Sequence, residues 1–267
     1  MKNKMDEIAE YNQARWKALV EADALFTRPE LNLDTDSARQ RIDSDGKLGN
    51  VAGKKVLCLA GGGGQQSAAF ALLGANVTVF DLSAEQLEQD KKVAEHYGFE
   101  IKIVQGDMRN LSPFEKGSFD IVYHAYSINF VPDAVEVFRQ VGRVLRRGGI
   151  YHFGCANPFV MGAGQKDWNG EGYVLREPYL GGARISCDDQ DWVYDGEAHE
   201  KISNSIEYRH TLSDVLNGLI QNGFVISHVS DNSDMNSDVN AAPKTWEHFT
   251  AFAPPWLQIW TTFQPDN

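Results

Sequence analysis

The chain has 267 residues, of which 42% are hydrophobic and 23% charged, with a formal net charge of −12. That length holds one large α/β domain or two small ones, and the acidic balance argues against nucleic acid, whose phosphates need clustered lysine and arginine. No apolar run is long enough to cross a bilayer, and MKNKMDEIAEYNQARW lacks the apolar centre of a signal peptide, so the expectation is a cytoplasmic protein with no membrane contact.

Residues 1–50 read as a helical cap, with a helix around YNQARWKALVEADALF and then irregular chain around TRPELNLDTDS. From Val51 to Cys155, short β-rich runs alternate with amphipathic helices. The runs KVLCLA, NVTVF, IKIVQ, FDIVYHA and IYHFGCA are nearly continuous in apolar or β-branched residues, as strands covered on both faces are. DLSAEQLEQDKKVAEHYG reads as a helix capped by Ser83 with Gln86 three residues on and closed by Gly98. Its buried face is expected to hold Leu87, Ala94 and Tyr97. In VPDAVEVFRQVGRVLRRGG, Asp133 and Glu136 form a capping pair, and Val135, Phe138, Val141 and Leu145 form the apolar stripe. Arg146 and Arg147 then fall in the last turn, where cations suit the helix dipole.

This alternation predicts an α/β fold with a doubly wound, mostly parallel sheet. Residues 157–209 carry many aromatics and acids without periodicity, and read as an insert after the fifth strand, placed where such inserts cover a ligand. The main domain, 51–267, then closes with HTLSDVLNGLIQNGFVISHV, a polar loop SDNSDMNSDVNAAPK, and a last strand WLQIWTTF. In the helix, Thr211 and Asp214 cap, Leu212, Val215, Leu216, Leu219 and Ile220 share one face, and Gly223 ends it. Cys58, Cys155 and Cys187 are far apart and odd in number, which suits core thiols better than a disulfide framework. The histidines have no paired spacing, so no metal is expected.

The chemistry begins at Gly61–Gly64, four consecutive glycines after the first strand. Such a run is costly in chain entropy, so something must need bare backbone there. The turn lies at the switch point where ligands bind such sheets, and the next helix offers free N–H groups. Gly62-x-Gly64-x-x-Ser67 is close to the dinucleotide fingerprint, which makes a nicotinamide enzyme a fair competitor. Asp81 ends the second strand, where a carboxylate can accept both hydroxyls of a ribose, which fits NAD as well as another ribose-bearing cofactor. Gly106-Asp107-Met108 puts a carboxylate and a free backbone N–H at the sheet's edge, where an adenine can be read.

This set resembles the class I S-adenosylmethionine-dependent methyltransferases, strongly over residues 51–157 and more loosely beyond. VLCLAGGGG, VTVFDLS, GDM and SFDIVYHAYSINFVPD with VLRRGGIYHF carry the likeness. It implies the Rossmann-like methyltransferase fold with seven strands, and S-adenosylmethionine as cofactor. The backbone at Gly61, Gly62 and Gly64 would hold the methionine part, Asp81 the ribose, and Asp107 with Met108 the adenine, with Leu82 on the adenine face. Many family members have an acid where Cys58 stands and glycine where Ala60 stands; that acid helps hold the cofactor's amino group. Gln65 and Gln66 are candidate substitutes, since each amide offers donors and an acceptor. In relatives an N-terminal helix closes over the cofactor, and Tyr11 and Trp16 could do so here, the ring near the sulfonium; packing of Trp16 with Leu19 and Val20 is the alternative.

Methyl transfer needs an aligned nucleophile, and a base only if the acceptor must lose a proton. His124, at the end of the fourth strand, is the candidate base or cofactor contact, with Tyr126 as a second catalytic candidate and Asn129 lining the site. Trp168, Tyr173 and Trp192 of the insert are the other lining candidates for a small-molecule acceptor. The acids Asp188, Asp189 and Asp191 beside them suit either an amine-bearing acceptor or a solvated loop. An NAD(P)-dependent oxidoreductase and a catalytically silent S-adenosylmethionine-binding protein are the competing readings, and the oligomeric state is open.

Overall fold

The computed structural model describes residues 6–187, 202–231 and 236–265. Its elements in chain order are α1 (Glu7–Glu21), α2 (Thr35–Asp43), β1 (Lys55–Leu59), α3 (Gln66–Leu72), β2 (Asn76–Asp81), α4 (Ala84–Tyr97), β3 (Lys102–Gln105) and β4 (Phe119–Tyr126). There follow α5 (Ala134–Val144), β5 (Leu145–Ala156), β6 (Arg184–Cys187), β7 (Ser205–Tyr208), α6 (Leu212–Gln221), β8 (Phe224–Ser230), α7 (Trp246–Phe252) and β9 (Trp256–Phe263).

Seven strands form one sheet in the order β3-β2-β1-β4-β5-β9-β8. The first five pair in parallel, and β9 joins β5 and β8 antiparallel. The chain reverses direction across the sheet after β3, so the carboxyl ends of β1 and β4 lie side by side with crossovers leaving in opposite directions. That is where such sheets bind ligands.

Strand alternation explains the two cores. Leu57 and Leu59 of β1 face one way, into a cluster with Val137, Phe138 and Val141 of α5 and Val215 and Leu219 of α6. Val56 and Cys58 face the other way, among Ala38 and Ile42 of α2, Ala69 and Phe70 of α3 and Leu87 of α4. Each large side chain removed from water there contributes roughly 1.5–3 kcal/mol before entropy is counted.

Several local expectations shift. The helix α5 ends at Val144, because Leu145 is already extended, so Arg146 and Arg147 open β5 instead of closing the helix. Arg146 pairs with Asp120 on β4 and Arg143 occupies the last turn. On α4 the buried residues are Gln86, Leu87, Gln89, Asp90 and Val93, whereas Ala94 and Tyr97 are half-buried. Tyr97 accepts a hydrogen bond from the Leu33 N–H at 2.8 Å, and so reaches the N-terminal cap. Ile220 is exposed, and Gly218 takes its place against α5, where a Cβ would meet Val135 and Phe138 at about the 3 Å limit. The helices α2 and α7 and the hairpin β6–β7 were not expected as elements. No helix among the described residues is long and apolar enough to cross a membrane.

Candidate cofactor and acceptor site

The glycine run leaves β1 at Ala60, which adopts φ +43°, and feeds α3. What crowds the glycines is the chain itself. A Cβ on Gly62 would stand 2.7 Å from Gln86 Cβ and 3.0 Å from Asp81 Cγ. On Gly64 it would stand 2.5 Å from Val93 Cγ2 and 2.9 Å from the Gln89 carbonyl oxygen. Gly64, expected at the methionine end of a ligand, is thus spent on close approach to α4. Gly61 is buried against Cys58.

Two carboxylates hold this loop. The Gly62 N–H donates to Asp81 Oδ2 at 2.9 Å, and the Ser83 N–H to Asp81 Oδ1 at 2.8 Å. From α4, Asp90 accepts from the Gly63 N–H at 3.1 Å and from the Ser67 hydroxyl at 2.5 Å. Burial pushes both carboxyls above the usual range, Asp90 up to about 7, while the N–H and hydroxyl donors pull the other way. Asp81 is half-buried, whereas Asp90 has no exposed surface. Asp90 was legible in principle: it sits three residues from both Leu87 and Val93, on the helix face that a solvated acid avoids.

Beside Asp81, the pairing of β2 with β3 brings Gly106–Met108 to the same edge. Asp107 is held by Arg109, through Nε to Oδ1 at 3.0 Å and Nη2 to Oδ2 at 2.5 Å, and Arg109 also grips Asp6 at the start of α1. The Arg109 backbone N–H also donates to Asp107 Oδ1 at 2.8 Å, so three donors of one residue occupy most of the carboxylate's about four acceptor positions and leave about one for an amino group. Met108 is half-buried against the core. The Leu82 carbonyl accepts from Gln13 at 3.1 Å and Gln105 at 3.0 Å. Gln65 gives its amide hydrogens to the carbonyls of Phe26 and Arg28, so it anchors the chain after α1. Gln66 is half-buried at the first position of α3.

At the end of β4 the structure redistributes the expected roles. His124 is fully buried, with Nδ1 3.0 Å from the Tyr151 hydroxyl and Nε2 2.7 Å from Ser127 Oγ. Burial lowers its pKa to about 3, so it stays neutral, as an internal brace with no face toward a ligand. Ser127 in turn reaches the Ala60 carbonyl at 3.4 Å, which ties β4 to the glycine loop. Asn129 is also a brace: its Oδ1 accepts from the Ala156 N–H at 2.8 Å, and its Nδ2 donates to the Tyr208 carbonyl at 3.0 Å. Trp168 and Tyr173 pack on α7, with the Tyr173 hydroxyl 2.7 Å from His248 Nδ1. Trp192, and with it Asp188, Asp189 and Asp191, lies outside the described residues.

Tyr126 remains, and it has a partner that sequence reasoning missed. Its hydroxyl donates to Glu207 Oε2 on β7 at 2.7 Å. Burial raises the Glu207 carboxyl above its ordinary range. Around this pair, Trp16 meets Phe130 edge-on at 5.8 Å, Tyr126 meets Phe130 and Trp256 at 6.4 Å, and the Arg15 charge acts on Glu207. Tyr11 donates to the Asn204 carbonyl at 2.6 Å, joining α1 to the insert. The fully buried Arg209 fastens the other flank by donating to the carbonyls of Met161, Glu177 and Pro178.

Residues 57–153 match the family model described as a methyltransferase domain. Over 179 residues the chain is 37% identical to the uncharacterized methyltransferase YbaJ of Bacillus subtilis (strain 168), covering 66% of this chain and 68% of that protein. The chain belongs to the class I S-adenosylmethionine-dependent methyltransferases. It is also 32% identical over 134 residues to a ubiquinone biosynthesis O-methyltransferase of Cronobacter sakazakii, spanning about half of that relative's length at 53%. The fold is shared with a solved S-adenosylmethionine-dependent methyltransferase from Mesorhizobium loti, at a TM-score of 0.63 and 22% identity, over 87% of this chain and 100% of that one. The core of this methyltransferase, from β1 to β5, is the part the family model matches.

Proposed function

We propose that this enzyme moves the methyl group of S-adenosylmethionine to a small-molecule acceptor at the carboxyl edge of the sheet. The observation that carries the reading is the meeting of Asp81 and Asp90 at the glycine loop, one accepting from Gly62 and the other from Gly63. A loop set between two acids repels a pyrophosphate and suits a ligand that brings an ammonium group. This separates the reading from a nicotinamide enzyme, which the glycine spacing alone does not.

The chain's own groups fit the cofactor. Gly61 and Gly62 offer bare backbone to its amino acid end, and the half-buried Asp81 offers free acceptor positions to the ribose hydroxyls. Asp107, Met108 and Leu82 stand at the edge for adenine, and Trp16 and Tyr11 of α1 form the cover. Bound there, the sulfonium supplies an activated methyl group with a neutral thioether as leaving group. The remaining work is alignment and exclusion of water.

On the acceptor side, Tyr126 and Glu207 take the role first given to His124. Glu207 is a half-buried carboxylate at hydrogen-bond distance from a phenol, and it can receive the proton of an acceptor O–H or N–H. The name of the ubiquinone biosynthesis O-methyltransferase relatives favours oxygen as the atom methylated. Calorimetric titration with S-adenosylhomocysteine tests the cofactor half, with NAD as control and Asp81→Ala as second protein. About micromolar binding, lost in Asp81→Ala and absent for NAD, is expected. Binding of NAD in its place overturns the proposal.

A further inference from the structure

The acid that many family members carry at the Cys58 position is missing, yet the loop beside it is not without charge. Cys58 faces the α2–α3 core and has no exposed surface, so this β1 position delivers no polar group to a ligand. From α4, Asp90 reaches the underside of the same loop and holds the backbone at Gly63 and the side chain at Ser67. Its charge is felt by the Cys58 thiol, which it raises, so the two side chains share one neighbourhood. We propose that Asp90 is a positioning residue that supplies, from α4, the negative charge absent at Cys58, fixing the glycine loop and balancing the cofactor's ammonium group. The inference rests on the cofactor reading above.

The surroundings make its ionisation depend on the ligand. From β2, Asp81 faces Asp90 and disfavours a second negative charge; from β1 comes the neutral Cys58 thiol; from α3 comes the Ser67 hydroxyl. The cations on the elements packed against α4 are engaged elsewhere: Arg15 of α1 with the Ser203 carbonyl, Lys17 of α1 with Glu21 and Glu85, and Lys102 of β3 over the Phe114 ring. On α4 itself, Lys91 pairs with Glu88 and Lys92 donates to Gln89. Burial holds Asp90 near about 7, so close to neutral pH a fraction of the molecules keeps the proton. An arriving ammonium favours the carboxylate, and the proton leaves the carboxyl oxygen for the buffer. Binding therefore releases a fraction of one proton, and affinity rises between about pH 6 and about pH 8.

The test is calorimetry of S-adenosylhomocysteine binding at about neutral pH in two buffers of different ionisation enthalpy, phosphate and Tris. In the wild-type protein the apparent enthalpy should differ between the buffers by the amount that proton release requires. Asp90→Asn can still accept from Gly63 and donate to Ser67, so it removes the charge and keeps the hydrogen-bond geometry. It should abolish the buffer dependence and weaken binding about tenfold, the equivalent of one pKa unit. Asp43→Asn changes another buried carboxylate, in α2, and should leave the buffer dependence in place. Equal proton release in the wild type and Asp90→Asn, or none in the wild type, overturns the inference. Failure of the wild type to bind S-adenosylhomocysteine overturns the cofactor reading itself, and this inference with it.

Discussion

Gly64 and Gly98 share a backbone conformation, φ +75° and +73°, but not an environment. A Cβ at Gly98 meets nothing within 4 Å, whereas at Gly64 it would press on Val93 at 2.5 Å and on the backbone of Gln89 at 2.9 Å. The left-handed penalty of about 1–2 kcal/mol applies to an alanine at either site. A stiffer unfolded chain returns about 0.4–1 kcal/mol in both cases, which leaves Gly98→Ala close to 1 kcal/mol. At Gly64 the loop must also be lifted off α4, and overpacking of that kind costs about 1–3 kcal/mol more. Gly64→Ala should therefore lose about 2–4 kcal/mol, against about 1 kcal/mol for Gly98→Ala. Urea denaturation of the two variants and the wild type measures both losses, provided the slopes agree. Equal losses would refute the claim that this glycine exists for close helix approach.

Two further expectations concern residues first read as parts of the site. His124 sits at about 3 in the fold against 6.5 ordinarily, so the unfolded chain takes up a proton that the folded chain refuses. Stability from this group is complete above about 6.5 and is lost as pH falls toward about 3, as it is for His152. His124→Gln should cost about 1–2 kcal/mol at neutral pH and make the urea midpoint less sensitive to acid; an unchanged acid slope would sink the assignment as a buried brace. Asn129→Ala leaves the Ala156 N–H and the Tyr208 carbonyl without their partner, and should cost about 2–4 kcal/mol in the same assay. A loss below about 0.5 kcal/mol would mean that the side chain lines a solvated site after all.

The sheet was legible because its strands carry the signal of two-sided burial, and β1 shows it residue by residue: Val56 and Cys58 to one core, Leu57 and Leu59 to the other. Caps were legible for the same reason, since Ser83, Asp133 and Thr211 bond to backbone within three residues. Contacts distant in sequence were not. Nothing local to Glu207 announces Tyr126, 81 residues away, and nothing local to Asp6 announces Arg109, 103 residues away. His124 misled because position at a strand's carboxyl end fixes where a residue sits but not which face it takes. Its neighbour Tyr123 faces the α2–α3 core, and His124 faces Tyr151 in the other. The glycine run misled in part, since bare backbone there serves the packing of α4.

The cap shows how such long-range contacts are combined. One helix, α1, reaches several of these segments. Asp6 at its start meets Arg109, which holds Asp107, and Gln13 meets the Leu82 carbonyl. Asn12 donates to the Phe130 carbonyl after β4, and Arg15 and Tyr11 donate to Ser203 and Asn204 of the insert. The neutral bonds of Tyr11, Asn12 and Gln13 net about 1 kcal/mol each, the charged donor Arg15 gives about 1.5–3 kcal/mol, and the Asp6–Arg109 pair, with Asp6 half exposed, contributes less than about 1 kcal/mol once screened. A helix held by several modest bonds, and by little apolar area beyond Ala9, Trp16 and Leu19, belongs to the low-stability end of a fold. This suits the cover proposed above. Its bonds reach the loops after β2, β3 and β4 and the chain just before β7, so loosening the helix breaks contacts to several segments while the ladder of the sheet itself stays intact.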